Sequence, residues 1–269
     1  MKLNLGCGAR DGIQMNEVAI IIPTMDNRAF LAPCLASLFQ NTRGVDFRVY
    51  VVNNGAPDSC DWLADMPATV LQAGRNIGWE RGLQRGLDMS AAPLALFLND
   101  DTLFLRTQRE WLARLVADLD DPTVAAAGPS SNLAAGPQST TQQLAAPRYR
   151  ARYLIGFCLL VRRSALDTVG GIDTTLPGGD DIDLSIRLRQ AGHTLVCDRR
   201  SFVYHYGFRT GERVHGDRTV PGGWNSPQMI QNTRDTLIAK HGLEAFEDAW
   251  RNDPLGEYER KSNARKVPR

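Results

Sequence analysis

Three short stretches of this 269-residue chain concentrate side chains that could do chemistry. Leu98-Asn99-Asp100-Asp101-Thr102 follows directly on an apolar run, so its carboxylates would project from a rigid edge. An aspartate among oxygen-bearing neighbours suits a hard divalent cation, Mg²⁺ or Mn²⁺, bridging a diphosphate. The plainer reading of the same residues is an Asp-rich turn. Gly178-Gly179-Asp180-Asp181-Ile182-Asp183 sets carboxylates behind paired glycines. One such carboxylate can be positioned as a general base that takes a proton from a hydroxyl. Helix capping would by itself explain one or two of these acids, because negative charge is favoured at a helix N-terminus. Tyr204-His205-Tyr206-Gly207 places a histidine at the end of a strand-like run. A lone histidine is more often structural, but histidine with a carboxylate is a sensible transition-metal set. His193, His215 and His241 stand in no such context.

The elements that must position these groups alternate through the first two thirds of the chain. Val18–Pro23, Phe47–Val52, Thr69–Ala73, Pro93–Leu98 and Val124–Ala127 read as short apolar strands. Asn27–Gln40 repeats apolar residues at helical spacing (Phe30, Leu31, Cys34, Leu35, Leu38), and Gly78–Met89 and Thr107–Leu119 read as helices too. Strands that are apolar throughout and separated by helices predict a parallel sheet covered on both faces. Such sheets bind ligands beyond the carboxyl ends of their strands. Here those ends carry Pro23-Thr24-Met25-Asp26, Asn53-Asn54-Gly55, Gly74-Arg75-Asn76 and Asn99-Asp100-Asp101. Pro129 to Pro147 is rich in Ser, Gln, Ala, Gly and Pro and reads as a long surface loop. Further on, the pattern predicts a strand over Tyr153–Val161, a helix capped near Ser164 and a helix over Asp181–Ala191. Short strands follow at Thr194–Cys197 and Ser201–His205, then a Gly-rich loop over Tyr206–Pro227 and helices around Gln228–His241 and Leu243–Arg251.

Composition excludes several classes. With 31 basic and 30 acidic residues the net charge is +1, which rules out a generally basic nucleic-acid or membrane binder. Hydrophobic residues at 43% beside 23% charged exclude general disorder. The longest apolar runs, Val18–Ile22 and Ala91–Leu98, fall far short of the roughly 20 residues of a transmembrane helix. Five cysteines without a C-x-x-C pair argue against a disulfide framework or a thiolate zinc site. Cys34 and Cys158 lie inside apolar runs and are expected in the core. A reducing, cytoplasmic setting is the expectation, with peripheral contact at the inner membrane surface open because basic residues gather in the loops and the tail.

Near the N-terminus, Leu3-Asn4-Leu5-Gly6-Cys7-Gly8 resembles the glycine-rich motif of methyltransferases that bind S-adenosylmethionine. That motif needs a following βαβ unit with an acid on its next strand, whereas a new pattern begins at Val18. Residues 1–16 are therefore read as an N-terminal extension, 17–252 as one domain and 253–269 as a basic, flexible tail.

Taken in order, the other motifs resemble family 2 inverting glycosyltransferases, which have the GT-A fold. The resemblance spans about Val18–His241. It rests on Val18-Ala19-Ile20-Ile21-Ile22-Pro23-Thr24, Val51-Val52-Asn53-Asn54-Gly55, Asn76-Ile77-Gly78-Trp79, Leu98–Thr102, and Gly179-Asp180-Asp181-Ile182-Asp183-Leu184-Ser185-Ile186-Arg187-Leu188 followed by Ala191-Gly192. It implies an α/β fold of GT-A type, a Rossmann-like, mostly parallel sheet flanked by helices, with C-terminal helices. The implied activity moves a sugar from a nucleoside diphosphate sugar to an acceptor hydroxyl with inversion, assisted by Mn²⁺ or Mg²⁺. By this resemblance Asp181 is the base, and Asp101 and His205 hold the metal. The donor lies against Pro23, Thr24, Asp26, Asn53, Asn54, Arg75, Asn76, Gly78, Asn99, Asp100 and Asp180, with Asp180 and Asp183 orienting the base or donor sugar. The loop Tyr206–Pro227, with Arg209, Arg213 and Arg218, is a candidate lid. Two departures stand out: the family commonly has Asp where this chain has Asn53, and the metal motif opens with Asn99. The acceptor stays open among a glycan, a lipid-linked saccharide, a protein and a modified nucleic acid. A nucleotidyltransferase would need a glycine- and lysine-rich loop after the first strand, which Thr24-Met25-Asp26-Asn27-Arg28 lacks. A non-catalytic sugar-nucleotide or glycan-binding module would have no use for the full acidic motif.

Overall fold

The computed structural model describes residues 17–207, 211–212, 215–216, 219, 223 and 225–259. The N-terminal glycine motif, the lid arginines Arg209, Arg213 and Arg218, and the basic residues from Arg260 onward lie outside the described residues. Among the described residues eleven strands are defined: β1 (Val18–Thr24), β2 (Phe47–Asn53), β3 (Ala68–Gln72), β4 (Leu94–Leu98), β5 (Thr102–Leu103), β6 (Val124–Ser130), β7 (Arg148–Arg150), β8 (Cys158–Arg162), β9 (Thr194–Phe202), β10 (Tyr204–His205) and β11 (Gly256–Glu257). The α-helices with described bounds are α1 (Arg28–Asn41), α2 (Trp79–Asp88), α3 (Trp111–Asp118), α4 (Arg163–Thr168), α5 (Asp180–Gln190), α6 (Pro227–His241) and α7 (Leu243–Arg251).

Nine strands make one sheet in the order β11-β7-β9-β6-β8-β4-β1-β2-β3. β3, β2, β1 and β4 are parallel neighbours, and β6 pairs parallel with β9. β8 and β7 run against the rest. β1, β4 and β6 are buried along their whole length, as expected for strands covered on both faces. Successive residues serve opposite faces. Ile20 and Ile22 join a core with Leu35 and Leu38 of α1 and Trp111 and Leu115 of α3. Ile21 joins the other core, with Leu83 and Leu87 of α2, Leu166 of α4 and Leu184 and Leu188 of α5. A third cluster ties α5 (Ile182, Ile186) to Leu237 of α6 and Phe246 of α7. Each of these fully buried side chains contributes about 1.5–3 kcal/mol. No helix among the described residues is long and apolar enough to cross a membrane.

Several segments differ from their expected form. The Pro129–Pro147 stretch is a surface loop only in part: Ser130, Ser131, Gln138 and Ser139 are buried and Ser131 bridges to Ser139, while Thr140, Thr141, Gln142 and Gln143 are exposed. Gln138 makes this possible by donating to the Pro129 carbonyl (3.1 Å) and accepting from the Ile155 amide (2.7 Å). The strand expected over Tyr153–Val161 begins only at Cys158, because the chain before it carries loop contacts to α5. α4 begins at Arg163, with no side-chain cap, instead of near Ser164. Residues just after Asp253, expected to fray, add β11 to the sheet edge by pairing with β7. The four described cysteines, Cys34, Cys60, Cys158 and Cys197, are free and buried.

Candidate active site

The parallel pairing of β1 with β4 sets their carboxyl ends side by side. Thr24 Oγ1 then donates to Asp100 Oδ2 at 2.6 Å, locking the first strand end to the second. The small β5–β10 ladder pairs His205 with Thr102, which brings the His205 ring against the preceding Asp101. At the start of α2, Asn54 Nδ2 donates to the Gly78 carbonyl (3.0 Å), and Asn76 Oδ1 accepts from the Gly78 amide (3.0 Å). α5 enters from Gly179, whose φ of +74° is left-handed. A Cβ there would stand 2.8 Å from Thr233 Cγ2 and 2.9 Å from Leu237 Cδ1, so glycine alone lets α5 start at this angle. These loops enclose a cavity of about 330 Å³. It is lined by Pro23, Thr24, Asn54, Asn76, Gly78, Asn99, Asp100, Asp101, Asp180, Asp181 and His205 among the expected residues.

Asp181 sits at the first turn of α5, half-buried. Its Oδ2 accepts from the Gly156 amide (3.0 Å) and its Oδ1 from the Ile182 amide (2.8 Å). Burial raises its pKa above the usual carboxylate range, and those backbone N–H groups restrain the rise by favouring the anion. Asp180 Oδ2 accepts from Trp79 Nε1 at 3.2 Å. Its pKa is pushed further up, first by burial and then by the charges of Asp181 and Glu80. Two adjacent carboxyls with unequal surroundings are a recurring arrangement where one must hold a proton while the other takes one.

Also lining the cavity, His205 Nε2 lies 3.2 Å from Asp101 Oδ1 and 3.1 Å from Asn99 Nδ2. The other ring nitrogen, Nδ1, faces the Leu133 carbonyl at 3.4 Å, an orientation that suits a proton on Nδ1 and leaves Nε2 as a lone pair. Phe157 stacks on the ring, with centroids 5.0 Å apart. Asp101 Oδ1 is buried and makes no hydrogen bond. A buried, unsatisfied carboxylate oxygen beside an imidazole lone pair is a place for a cation. Among the described residues no group of three or more His, Cys, Asp or Glu side chains is arranged to hold a metal. Two protein donors are enough for a divalent ion that keeps several waters.

Other expected residues are placed elsewhere. Asn53 is fully buried, and all four of its side-chain hydrogen bonds are made within the protein. Its Oδ1 accepts from the Gly55 amide (2.9 Å) and Ser59 Oγ (3.1 Å), while its Nδ2 donates to the Ala56 carbonyl (2.8 Å) and Gln72 Oε1 (2.9 Å). Asp26, with φ +46°, accepts from the Ala56 amide (2.7 Å) and braces the same turn from outside the cavity. Arg75 is exposed and does not line it. Asp183 does not line the cavity and is turned away into a buried ion network with Arg187, Lys240 and His241.

The cavity also takes in Met25, Trp79, Ile155, Gly156, Phe157, Gly211 and His215. Gly156 was legible as a glycine interrupting a strand pattern, a usual sign of close backbone approach; His215 carried no signal in its neighbours. A larger depression of about 1130 Å³ lies between α5, β9 and α7. Its Asp248 is held by Arg189, Arg152 and Arg251, and Glu247 by Arg234. Strand ends and the unsatisfied acceptors Asn54 Oδ1 and Asp101 Oδ1 meet in the smaller cleft.

Comparison with known proteins agrees with this architecture. The chain is 28% identical over 213 residues to a pre-mycofactocin glycosyltransferase of Mycobacterium tuberculosis (strain ATCC 25618 / H37Rv), covering 72% of this chain and 43% of that protein. The chain therefore spans less than half the length of that relative. Among solved structures it is similar to the mannosyltransferase PcManGT from Pyrobaculum calidifontis in complex with GDP-Man and Mn²⁺, at 17% identity and a TM-score of 0.58 over 86% of this chain and 73% of that one. It is also similar to GalNAc-T7 with UDP, GalNAc and Mn²⁺, at 15% identity and a TM-score of 0.62 over 82% of this chain and 48% of that one. These likenesses are of fold, and the fold is the GT-A type. The model of the family described as "Glycosyl transferase family 2" matches residues 19–170. That match covers more than half of the chain, so the chain belongs to glycosyltransferase family 2.

Proposed function

We propose that the chain transfers a sugar from a nucleoside diphosphate sugar to an acceptor hydroxyl with inversion, using Asp181 as general base. The carrying observation is that one cleft is lined by both the Asp180–Asp181 pair and the Asp101–His205 pair. Asp101 and His205 would hold Mn²⁺ or Mg²⁺, which when bound neutralises charge on the leaving diphosphate. Thr24, Asn54, Asn76 and Gly78 line the part of the cleft formed by the ends of β1 and β2 and the turn before α2, where the nucleoside fits. Asp100, fixed by Thr24, keeps the neighbouring Asp101 at the cleft wall. Asp181 takes the acceptor proton on a carboxylate oxygen as the hydroxyl oxygen attacks the anomeric carbon and the bond to the diphosphate breaks. Its elevated pKa brings it nearer the working range of a base while the Gly156 amide holds its orientation.

Both solved neighbours are complexes that contain Mn²⁺ with a sugar nucleotide or its parts, which supports the same requirement here. Buried free thiols support a reducing, cytoplasmic setting. The test is incubation with Mn²⁺ and a panel of UDP-, GDP- and dTDP-sugars, followed by NMR of the product's anomeric configuration. One donor is expected to be consumed, with inverted product; a retained configuration would overturn the assignment of Asp181.

A further inference from the structure

Trp79 takes no part in the mechanism just described, yet it forms the wall beside the base. It is the first residue of α2, after Gly78 at φ +87°. Its half-buried ring packs against the core cluster that contains Leu83 and Leu87, and it also lines the cleft. Its Nε1–H donates to Asp180 Oδ2 at 3.2 Å. The indole is thereby anchored at one edge and backed by the core. An acceptor hydroxyl that reaches Asp181 must lie next to this ring, since Asp180 joins the two. We propose that the acceptor is a saccharide and that Trp79 is the surface on which its ring stacks, a specificity-determining residue for the reaction proposed above.

The argument is one of shape and polarity. A sugar ring has a flat face of C–H groups and a rim of hydroxyls. The C–H face carries slight positive charge and matches the negative face of an indole. The rim hydroxyls are donors, and the group that meets the edge of Trp79 is an acceptor, the carboxyl of Asp180, next in the chain to Asp181. A serine or threonine side chain in a peptide has one hydroxyl and no flat apolar face to offer. Ile155 and Met25, also on the cleft wall, extend the apolar contact without competing for those hydroxyls.

The inference rests on the glycosyltransferase reading, so the experiment separates the two. The full chain, with Mn²⁺ and UDP or GDP, is applied to immobilised saccharides with hexose, N-acetylhexosamine, deoxyhexose and uronic acid termini, and to serine, threonine and tyrosine peptides. Consumption of nucleotide sugars is measured in parallel. The wild type is expected to bind a saccharide, Trp79→Phe to weaken that binding less than about threefold, and Trp79→Ala to weaken it about fivefold to tenfold. With that saccharide as acceptor, Trp79→Ala raises the acceptor KM by the same factor and leaves the donor KM within about threefold. Trp79→Leu, which keeps apolar volume without a ring face, must behave like Trp79→Ala and guards against a variant that fails to fold. Capture of peptides alone, capture of nothing while a nucleotide sugar is consumed, or a donor KM that rises with the acceptor KM overturns the role of Trp79 and leaves the glycosyltransferase reading standing. Failure to consume any nucleotide sugar removes both.

Discussion

Replacing Asp183 should cost more stability than any other single change near the cleft, although this residue touches no substrate. Its carboxylate is fully buried and accepts from Arg187 at 2.6 and 2.9 Å, from His241 Nε2 at 2.7 Å and from Lys240 Nζ at 2.6 Å. The network ties α5, whose first turn presents Asp181, to the end of α6. Burial alone would raise the Asp183 pKa, but hydrogen bonds from Arg187 and Lys240, the Arg187 charge and His241 outweigh it and hold the carboxyl below its ordinary value. Asp183→Ala leaves the largely enclosed Arg187 without its counter-charge and the His241 ring without its hydrogen-bond partner, while Lys240 keeps Asp173, a loss of about 3–5 kcal/mol. For a domain of this size that is a fall in Tm of roughly 6–20 °C. Because the folded-state pKa is depressed, the contribution is complete above about pH 4 and fades as pH falls through the lower folded value. Urea unfolding of wild type and Asp183→Ala at pH 7 and pH 3 checks both statements: the gap between them is wide at pH 7 and narrower at pH 3. A difference under about 1 kcal/mol at pH 7 would refute the network as an anchor of α5.

Three further outcomes follow from the same coordinates. Gly179→Ala adds a methyl where φ is +74° and Thr233 and Leu237 already crowd the space, so it should destabilise by about 2–4 kcal/mol in urea unfolding and lower kcat by displacing Asp181. Asp101→Ala removes the buried oxygen that lacks a hydrogen bond, and Mn²⁺ binding followed by electron paramagnetic resonance should weaken by about tenfold or more while the thermal transition stays within a few degrees. Since burial raises the Asp181 pKa, and a base works only when deprotonated, kcat/KM should fall on the acid side through a pKa above the ordinary carboxylate value of about 3.9. A pH profile with its acid limb below that value would contradict the assignment.

The central strands were legible because β1, β2 and β4 are apolar on both faces, and α1 because its apolar residues recur at helical spacing. The strand-end carboxylates Asp100 and Asp101 were legible for the same reason, since a sheet of known direction says where its polar ends gather, and Asp180 and Asp181 were legible as acids behind paired glycines at a helix start. β7 and β11 were not: they are three and two residues long, and pairing across a fold edge, not local pattern, makes them strands. The Ser- and Gln-rich stretch around Gln138 looked solvated because its polarity is satisfied internally, by backbone groups distant in sequence. Asn53 looked like a ligand contact for the opposite reason. Its polar atoms sit at a strand end, yet every one is spent closing the turn to Ala56, Ser59 and Gln72. Asp183 shares a motif with Asp181 but lies two residues further along a helix, which turns it to another face.

The account turns on one carboxylate. With the nucleotide sugar and acceptor the wild type uses, single-turnover transfer by Asp181→Asn measures it most directly, because the substitution keeps the side chain's size and removes its basicity. The expected result is a fall in the rate of transfer by about 10²–10⁴, with the donor dissociation constant unchanged. A variant that transfers sugar at the wild-type rate would show that Asp181 does not take the acceptor proton.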